Sequence, residues 1–391
     1  MQNKSRPGGF ARRLQEIEPF RVVEVLTRAR ELEAQGRDIV HLAAGEPDFA
    51  TVAPIVEAGR KALADGATYY SEAAGLPALR EALSTFYQTE YGLDISPRRI
   101  MITPGASGAL LLIASLLMNP GDGMLMADPG YPCNRHFLRL VEGQGQLVPV
   151  DASTRYQMTP ELMGDHWQAN TIGAMLASPA NPTGTALSRE ELAAVAAAVR
   201  QRKGYLVVDE IYHGLGYDAA TPSVLEVDDD AFVINSFSKY FGMTGWRLGW
   251  LVAPEAAVEE MEKLAQNLFI SMSTMAQYAA LAGFEPATRE LLDERRDIFR
   301  QRRDFLYPAV QTLGFDVPCK PEGAFYIYAD ASRFTDNSQA FCLQMLEEHG
   351  VALTPGLDFG HHRAAEHLRF CYTASMDRLE LAVERLAGVL R

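Results

Sequence analysis

Lys239 is the only formal charge between Ala231 and Trp246, within the stretch "VINSFSKYFGMTGW". Lysine is seldom buried without a partner, so one that follows an apolar run is either a surface residue at a strand end or a reactive amine. In apolar surroundings an ammonium loses hydration and its pKa falls toward neutrality, which frees the amine to act as nucleophile or base. Three further stretches hold residues that could work with it. "PGASGALLL", after "RIMIT", is a small-residue turn opening an apolar helix. Free amides and the helix dipole there favour a phosphate, and Ser107 adds a hydroxyl. The turn matches none of GxxxxGK[ST], GxGxxG or GxSxG, Ala109 standing at the fifth position of the last. Asp209 follows "YLVV", with Tyr212 three residues on; such a carboxylate is a helix cap or the partner of a buried cation. Asn181 lies in "PANPTGT" after "GAMLAS", where Pro182 and Gly184 alone explain a turn and Asn181 could bond to its own backbone.

The elements that must position these residues are legible as an alternation. Short apolar strands, "RIMIT", "GMLMAD", "QLVPVD", "GAMLAS", "YLVVDE", "FVINSF" and "LGWLVA", alternate with helical segments from about Thr51 to Asn267. Near-continuous apolar strands separated by helices predict an α/β fold, a mostly parallel sheet covered by helices on both faces. One helix, "SREELAAVAAAVRQRKG", opens with a capping box of Ser188 and Glu191 and is expected to close at Gly204. Another, "PFRVVEVLTRARELEAQG", is expected to end at Gly36. After about Pro286 a long charged helix leads to "GAFYIYAD", a further helix, "HLRFCYTAS" and a closing helix, which reads as a second, smaller α+β domain. The expected division is 51–286 for a large cofactor-binding domain, and 1–50 with 287–391 for the small one. In such sheets ligands bind beyond the carboxyl ends of the strands, where all four stretches fall.

Composition narrows the function. The chain has 391 residues and a formal net charge of −14, which argues against nucleic-acid and anionic-membrane partners. Cys133, Cys319, Cys342 and Cys371 lie far apart with no CxxC pair, so no zinc site is expected and the thiols should be reduced and mostly buried, as in a cytoplasmic protein. The opening "MQNKSRPGGFARRLQ" has no apolar stretch behind it and is not expected to be a secretory signal. "ALLLIASLLM" is about half the ~20 residues of a membrane span and reads as a buried helix. His361 and His362 read as loop residues.

Together, a phosphate cradle, a buried carboxylate, two neutral donors and a low-pKa lysine propose one chemistry. A phosphorylated pyridine aldehyde uses all of them. The lysine condenses with the aldehyde, the carboxylate keeps the ring nitrogen protonated, and Asn181 and Tyr212 donate to the ring oxygen.

The ordered set "GEPDF", "YYSEAAGLPALREAL", "PGASGAL", "DPGYP", "NPTG", "DEIY", "SFSKYFGMTGWRLGW" and "LRFCYTAS" resembles the fold-type I pyridoxal-phosphate aminotransferases of class I/II, nearest the bacterial aspartate- and alanine-type subgroup. The resemblance runs from roughly Arg13 to the C-terminus. It implies that Lys239 carries the cofactor and then moves the substrate's Cα proton, that Asp209 faces the ring nitrogen, and that Asn181 and Tyr212 face the ring oxygen. It implies a phosphate on the amides of Ala106 and Ser107 with Ser236, Ser238 and Arg247, and Tyr131 stacked on the ring. Arg369 and the amide of Gly45 would take the substrate α-carboxylate, and Tyr70 would reach the phosphate of a partner subunit in a homodimer. The distal arginine of aspartate-specific relatives has no evident counterpart; Arg135 is a replacement or simply a solvated arginine.

The implied activity is ping-pong transfer of an α-amino group from an amino acid to a 2-oxo acid. A C–S β-lyase or an α-oxoamine synthase would share the same lysine, aspartate and arginine. A non-catalytic sensor on this fold would need an N-terminal DNA-binding domain, for which the residues before Arg13 leave no room. A nicotinamide dehydrogenase would need GxGxxG after a strand.

Overall fold

The computed structural model describes residues 10–390, so the first nine residues of the opening "MQNKSRPGGFARRLQ", read as no secretory signal, lie outside it. A seven-stranded sheet forms the centre. In spatial order its strands are Ile100–Thr103, Gly249–Val252, Phe232–Ser236, Tyr205–Asp209, Thr171–Ala177, Gly123–Asp128 and Gln144–Pro149. Only Gly249–Val252 runs against its neighbours. All seven predicted strands are present, in a sheet that is mostly parallel.

Strand periodicity explains why both faces need cover. Ile100, Ile102, Leu206, Val208, Val233, Trp250 and Val252 point into one core, while Met101, Val207, Phe232, Ile234 and Leu251 point into the other. Successive side chains leave a strand on opposite faces, so strands apolar at every position bury themselves only between two helical layers. Each fully buried aliphatic side chain contributes about 1.5–3 kcal/mol, so stripping either layer would exceed the ~5–15 kcal/mol by which a domain is stable. The helix Gly105–Leu117, which contains most of "ALLLIASLLM", is the most buried part of the second layer. Among the described residues no helix is long and apolar enough to cross a membrane.

Two glycine readings divide. The helix Arg21–Ala34 does end through Gly36, at φ +87°. The helix Arg189–Gln201 carries its capping box but does not close on Gly204: the left-handed residue is Lys203, at φ 55°. Gly204 is required for space instead, because a Cβ there would sit 2.6 Å from the Trp167 ring.

Beyond the long helix Pro286–Thr312, a three-stranded antiparallel sheet places His367–Cys371 between Thr354–Pro355 and Tyr326–Asp330. The short strand Val40–His41 pairs in parallel with Val351–Ala352, which ties the N-terminal segment to this C-terminal part. The loop after Val40–His41 is clamped by Arg302, whose guanidinium grips Asp48 with two bonds of 2.8 and 2.9 Å and donates a third to the Thr373 carbonyl. A planar fork of this kind fixes orientation as well as distance. All four cysteines are free; Cys342 and Cys371 are buried, Cys133 and Cys319 half-buried.

Candidate active site

Six strands of the large sheet point their carboxyl ends to one edge, and there a cavity of about 500 Å³ opens. Every site residue predicted from the sequence lines it, except Tyr70. Tyr70 is 81% exposed on the surface of its own chain.

The apolar run Phe232–Ser236 delivers Lys239 just past the strand end. Its side chain is half-buried and lines the cavity, and its ammonium donates 2.7 Å to the Gly45 carbonyl. Burial pulls its pKa down to about 8, Glu46 opposing the fall and Arg369 adding to it. Asp209 ends the neighbouring strand and is buried, accepting one bond from the Ile211 amide at 3.1 Å. Burial pushes its carboxyl up to about 7 against that bond and the pull of Lys239. No helix starts after Asp209, so it has none to cap. A carboxylate buried with so little support calls for a cation at its open side.

The turn after Ile100–Thr103 reaches the cavity as the start of the helix Gly105–Leu117, which no side chain caps. Gly105 takes φ +71°, and a Cβ on it would meet the Arg247 guanidinium at 2.6 Å. Gly249 permits the same close packing from below: a Cβ there would lie 2.9 Å from the Ala106 nitrogen. The uncapped amides, Ser107, Ser236, Ser238 and the exposed Arg247 thus border one end of the cavity. This donor set fits a phosphate, and with the buried carboxylate and the low-pKa amine it fits the pyridoxal phosphate expected from the sequence.

Arg369, on the strand His367–Cys371, forms the other end. It donates to Asn181 Oδ1 at 2.9 Å, to the Ala43 carbonyl at 2.7 Å and to Thr354 Oγ1 at 3.2 Å, while its buried Nε has no partner. Its guanidinium lies over two rings, 4.4 Å from the centre of Tyr326 and 4.8 Å from that of Phe359. Both rings attract the cation, and the unpartnered Nε leaves it a donor for an anion.

Sequence reasoning missed several residues of this wall. Tyr326 is buried, bonded at 2.7 Å to the Tyr212 hydroxyl. It also makes a second demand on Gly45, where a Cβ would stand 2.5 Å from the Tyr326 hydroxyl. Phe20, Val22 and Val23 line the cavity because the buried Asp358 accepts from the Arg21 and Val22 amides, at 2.7 and 3.0 Å. That carboxylate caps a helix with no side-chain cap of its own, from a position more than three hundred residues away. The acidic start of "GEPDF" was the one available signal for Glu46, which also lines the cavity. Arg135 lines not this cavity but an adjoining one that shares Tyr131, Asn181 and Phe359 with it, and it pairs with Glu18 at 3.4 Å. Among the described residues, no group of His, Cys, Asp and Glu is arranged to hold a metal ion.

The pattern of the family "Aminotransferase class I and II" matches residues 37–386. The valine–pyruvate aminotransferase of Mycobacterium tuberculosis is 36% identical over 376 residues, covering 96% of this chain and 97% of its own. The aspartate aminotransferase of Geobacillus stearothermophilus is 33% identical, covering 96% and 98%. Among solved structures, an aminotransferase from Mycobacterium tuberculosis superposes with a TM-score of 0.94 at 36% identity, covering 97% of this chain and 98% of the other. The Thermus thermophilus aspartate aminotransferase with maleate gives 0.92 at 34%, covering 97% and 99%. A pattern match over most of the chain and likeness along nearly its whole length agree with the cavity's chemistry: the chain belongs to the class I and II aminotransferases, and it is an amino-group-transferring enzyme that uses pyridoxal 5′-phosphate.

Proposed function

We propose that Lys239 is the residue that binds the cofactor and acts as base, and that amino acids with uncharged side chains are the donors. When bound, pyridoxal phosphate supplies an aldehyde for the amine and a ring that draws electrons from the substrate's Cα. Lys239 Nζ, near neutrality in its pKa, accepts the Cα proton; a base with a pKa close to the working pH is the efficient one. Asp209 holds a cationic ring nitrogen in its protonated form. Asn181 and Tyr212 donate to the ring oxygen, Tyr131 stacks on the ring, and the Ala106 and Ser107 amides with Ser236, Ser238 and Arg247 hold the phosphate. Arg369 and the Gly45 amide orient the α-carboxylate. The observation that carries these roles is the convergence of Lys239, Asp209, Arg369 and the uncapped turn on one cavity.

The donor class rests on the substrate wall. Phe20, Val22, Val23 and Phe359 offer apolar surface beside Arg369, and the carboxylates of Glu46 and Asp358 disfavour a second negative charge there. Relatives are named for valine–pyruvate and for aspartate/prephenate, so relatives of both types exist at similar identity. Donors screened against 2-oxoglutarate and pyruvate test this. Aliphatic and aromatic donors should exceed aspartate in kcat/KM by about tenfold or more, the worth of a desolvated like-charge contact. Aspartate as the best donor would end this reading. Conversion of the bound cofactor by amino acid alone separates transfer from the β-lyase and oxoamine synthase alternatives.

A homodimer with shared sites, a 51–286 cofactor-binding unit with a smaller 1–50 and 287–391 unit, and a cytoplasmic location belong to the same proposal. Tyr69 and Tyr70, 84% and 81% exposed, sit beside the helix Thr274–Leu281 and its exposed Tyr278, an aromatic surface that suits a partner. The pairing of Val40–His41 with Val351–Ala352 supports the smaller unit, and the four free thiols support the location. Lys239→Ala and Tyr70→Asp homodimers, mixed under exchange conditions, should regain activity above either parent, since one site of each mixed dimer is intact. Activity equal to the average would remove Tyr70 and the dimer together.

A further inference from the structure

Tyr326 touches residues at both ends of the cavity, and the reaction scheme assigns it nothing. It is 1% exposed, and its ring is held by the neighbouring Phe325 and by Tyr212, whose rings lie 4.9 and 5.6 Å away. In the antiparallel sheet it pairs with Cys371, two residues beyond Arg369. This diagonal position on a shared face is what lets the Arg369 guanidinium rest on the ring at 4.4 Å.

The proton count sets the direction of its hydrogen bond. A phenol has one proton and can both donate and accept. If Tyr212 donates its proton to the cofactor's ring oxygen, its contact with Tyr326 at 2.7 Å leaves it the acceptor and Tyr326 the donor. Among the described residues the Tyr326 hydroxyl has no other partner, so its proton is free for this bond. The Arg369 cation over the ring withdraws electron density and makes the hydroxyl a stronger donor. Gly45 leaves no Cβ in the way of that hydroxyl.

Resting on the role proposed for Tyr212, we infer that Tyr326 is a positioning residue joining the two ends of the site. Its hydroxyl strengthens the Tyr212 bond to the ring oxygen, and its ring braces Arg369 for the substrate carboxylate. A tyrosine that only filled space would do neither.

The test uses the cofactor-loaded enzyme and two readouts: the pH midpoint of the cofactor's visible absorbance change, and KM for donors with and without a carboxylate. Donors to the ring oxygen stabilise its anionic form and lower that midpoint, so Tyr212→Phe should raise it. Tyr326→Phe keeps the ring and the packing and should raise it by a smaller step, with KM little changed. In the double variant, Tyr326→Phe should add nothing to Tyr212→Phe, because its effect passes through that hydroxyl. Tyr326→Leu should also raise KM for amino acids about tenfold, the worth of a desolvated cation–π contact, and leave simple amines nearly unchanged. A Tyr326→Phe step that is absent, or equally large with and without the Tyr212 hydroxyl, overturns the inference alone. If Tyr212→Phe itself leaves the midpoint unmoved, the role of Tyr212 fails and the inference falls with it. Equal KM changes for amino acids and simple amines would overturn the bracing of Arg369, and Tyr326→Phe supplies the hydroxyl result even if Tyr326→Leu does not fold.

Discussion

The two ends of the cavity are assembled in opposite ways. At the cofactor end, Ser107, Asn181 and Lys239 each follow a strand of one sheet and Asp209 ends one, and the register that pairs Ala177 with Asp209 and Asp209 with Ile234 sets their spacing. At the substrate end the contacts span the chain: Arg369 reaches Ala43 across 326 positions, and Asp358 holds the Arg21 amide across 337. The first end inherits its geometry from the most buried part of the molecule. The second depends on a few hydrogen bonds between separate segments, so a single substitution there should alter binding more than chemistry.

Substitutions at the two ends can break that comparison. The largest effect is expected from Lys239→Ala, which removes the amine proposed to bind cofactor and move the proton; kcat should fall by at least about 10⁴-fold. Borohydride reduction should no longer fix cofactor to the chain, and digestion of the reduced wild type should find the label on Lys239. Label on another lysine would displace it from the site.

Asp209→Asn should lower kcat roughly 10²–10³-fold, the range for removing one charge-stabilising group, with much smaller loss of cofactor binding. The cofactor-free protein should respond in the opposite sense. Asp209 has its carboxyl raised to about 7 from 3.8, so the folded state holds the proton more tightly, and stability falls as pH rises from about 4 to 7. The full penalty, on the order of 4 kcal/mol, is present above pH 7 and absent below about pH 4. Denaturant melts of the cofactor-free variant should therefore show stabilisation at pH 8 that shrinks by pH 5. A variant less stable at both pH values would make Asp209 a structural residue.

At the substrate end, Arg369→Leu should weaken α-carboxylate substrates by about tenfold or more for each charge-assisted bond lost. Amines without a carboxylate should suffer far less, and equal losses would show that its bonds to Ala43 and Thr354 matter only to the fold. The smallest effect is expected from Arg135→Ala. Outside the cavity and paired with the exposed Glu18, it should change kcat/KM for aspartate and glutamate by less than about fivefold, as an exposed ion pair would. A selective loss for those two donors would return Arg135 to the site and undo the apolar reading of the substrate wall.

Legibility in the sequence follows the same division. Apolar runs with helices between them announced the sheet, and whatever followed each run pointed to the cavity edge, because strand direction alone places those residues together. Lys239, Asp209, Asn181 and the turn at Ser107 came into view this way. Tyr326 did not. It reads as one more aromatic in a buried strand, and no spacing links it to Tyr212, 114 positions away. Gly204 misled for a related reason: the residue type suggested a left-handed helix end, and only its approach to Trp167 reveals a need for space.

By itself the sequence determined the class of fold, the lysine and carboxylate at neighbouring strand ends, and the kind of cofactor that could use them, since periodicity and local turns are encoded within a few residues. Only the tertiary structure decided that Arg135 stands outside the cavity, that Phe20, Val22 and Val23 line it, and that Tyr326 lies between Tyr212 and Arg369. These depend on which distant segments close on one another, and that is settled by packing and long-range hydrogen bonds, for which neighbouring residues carry no signal.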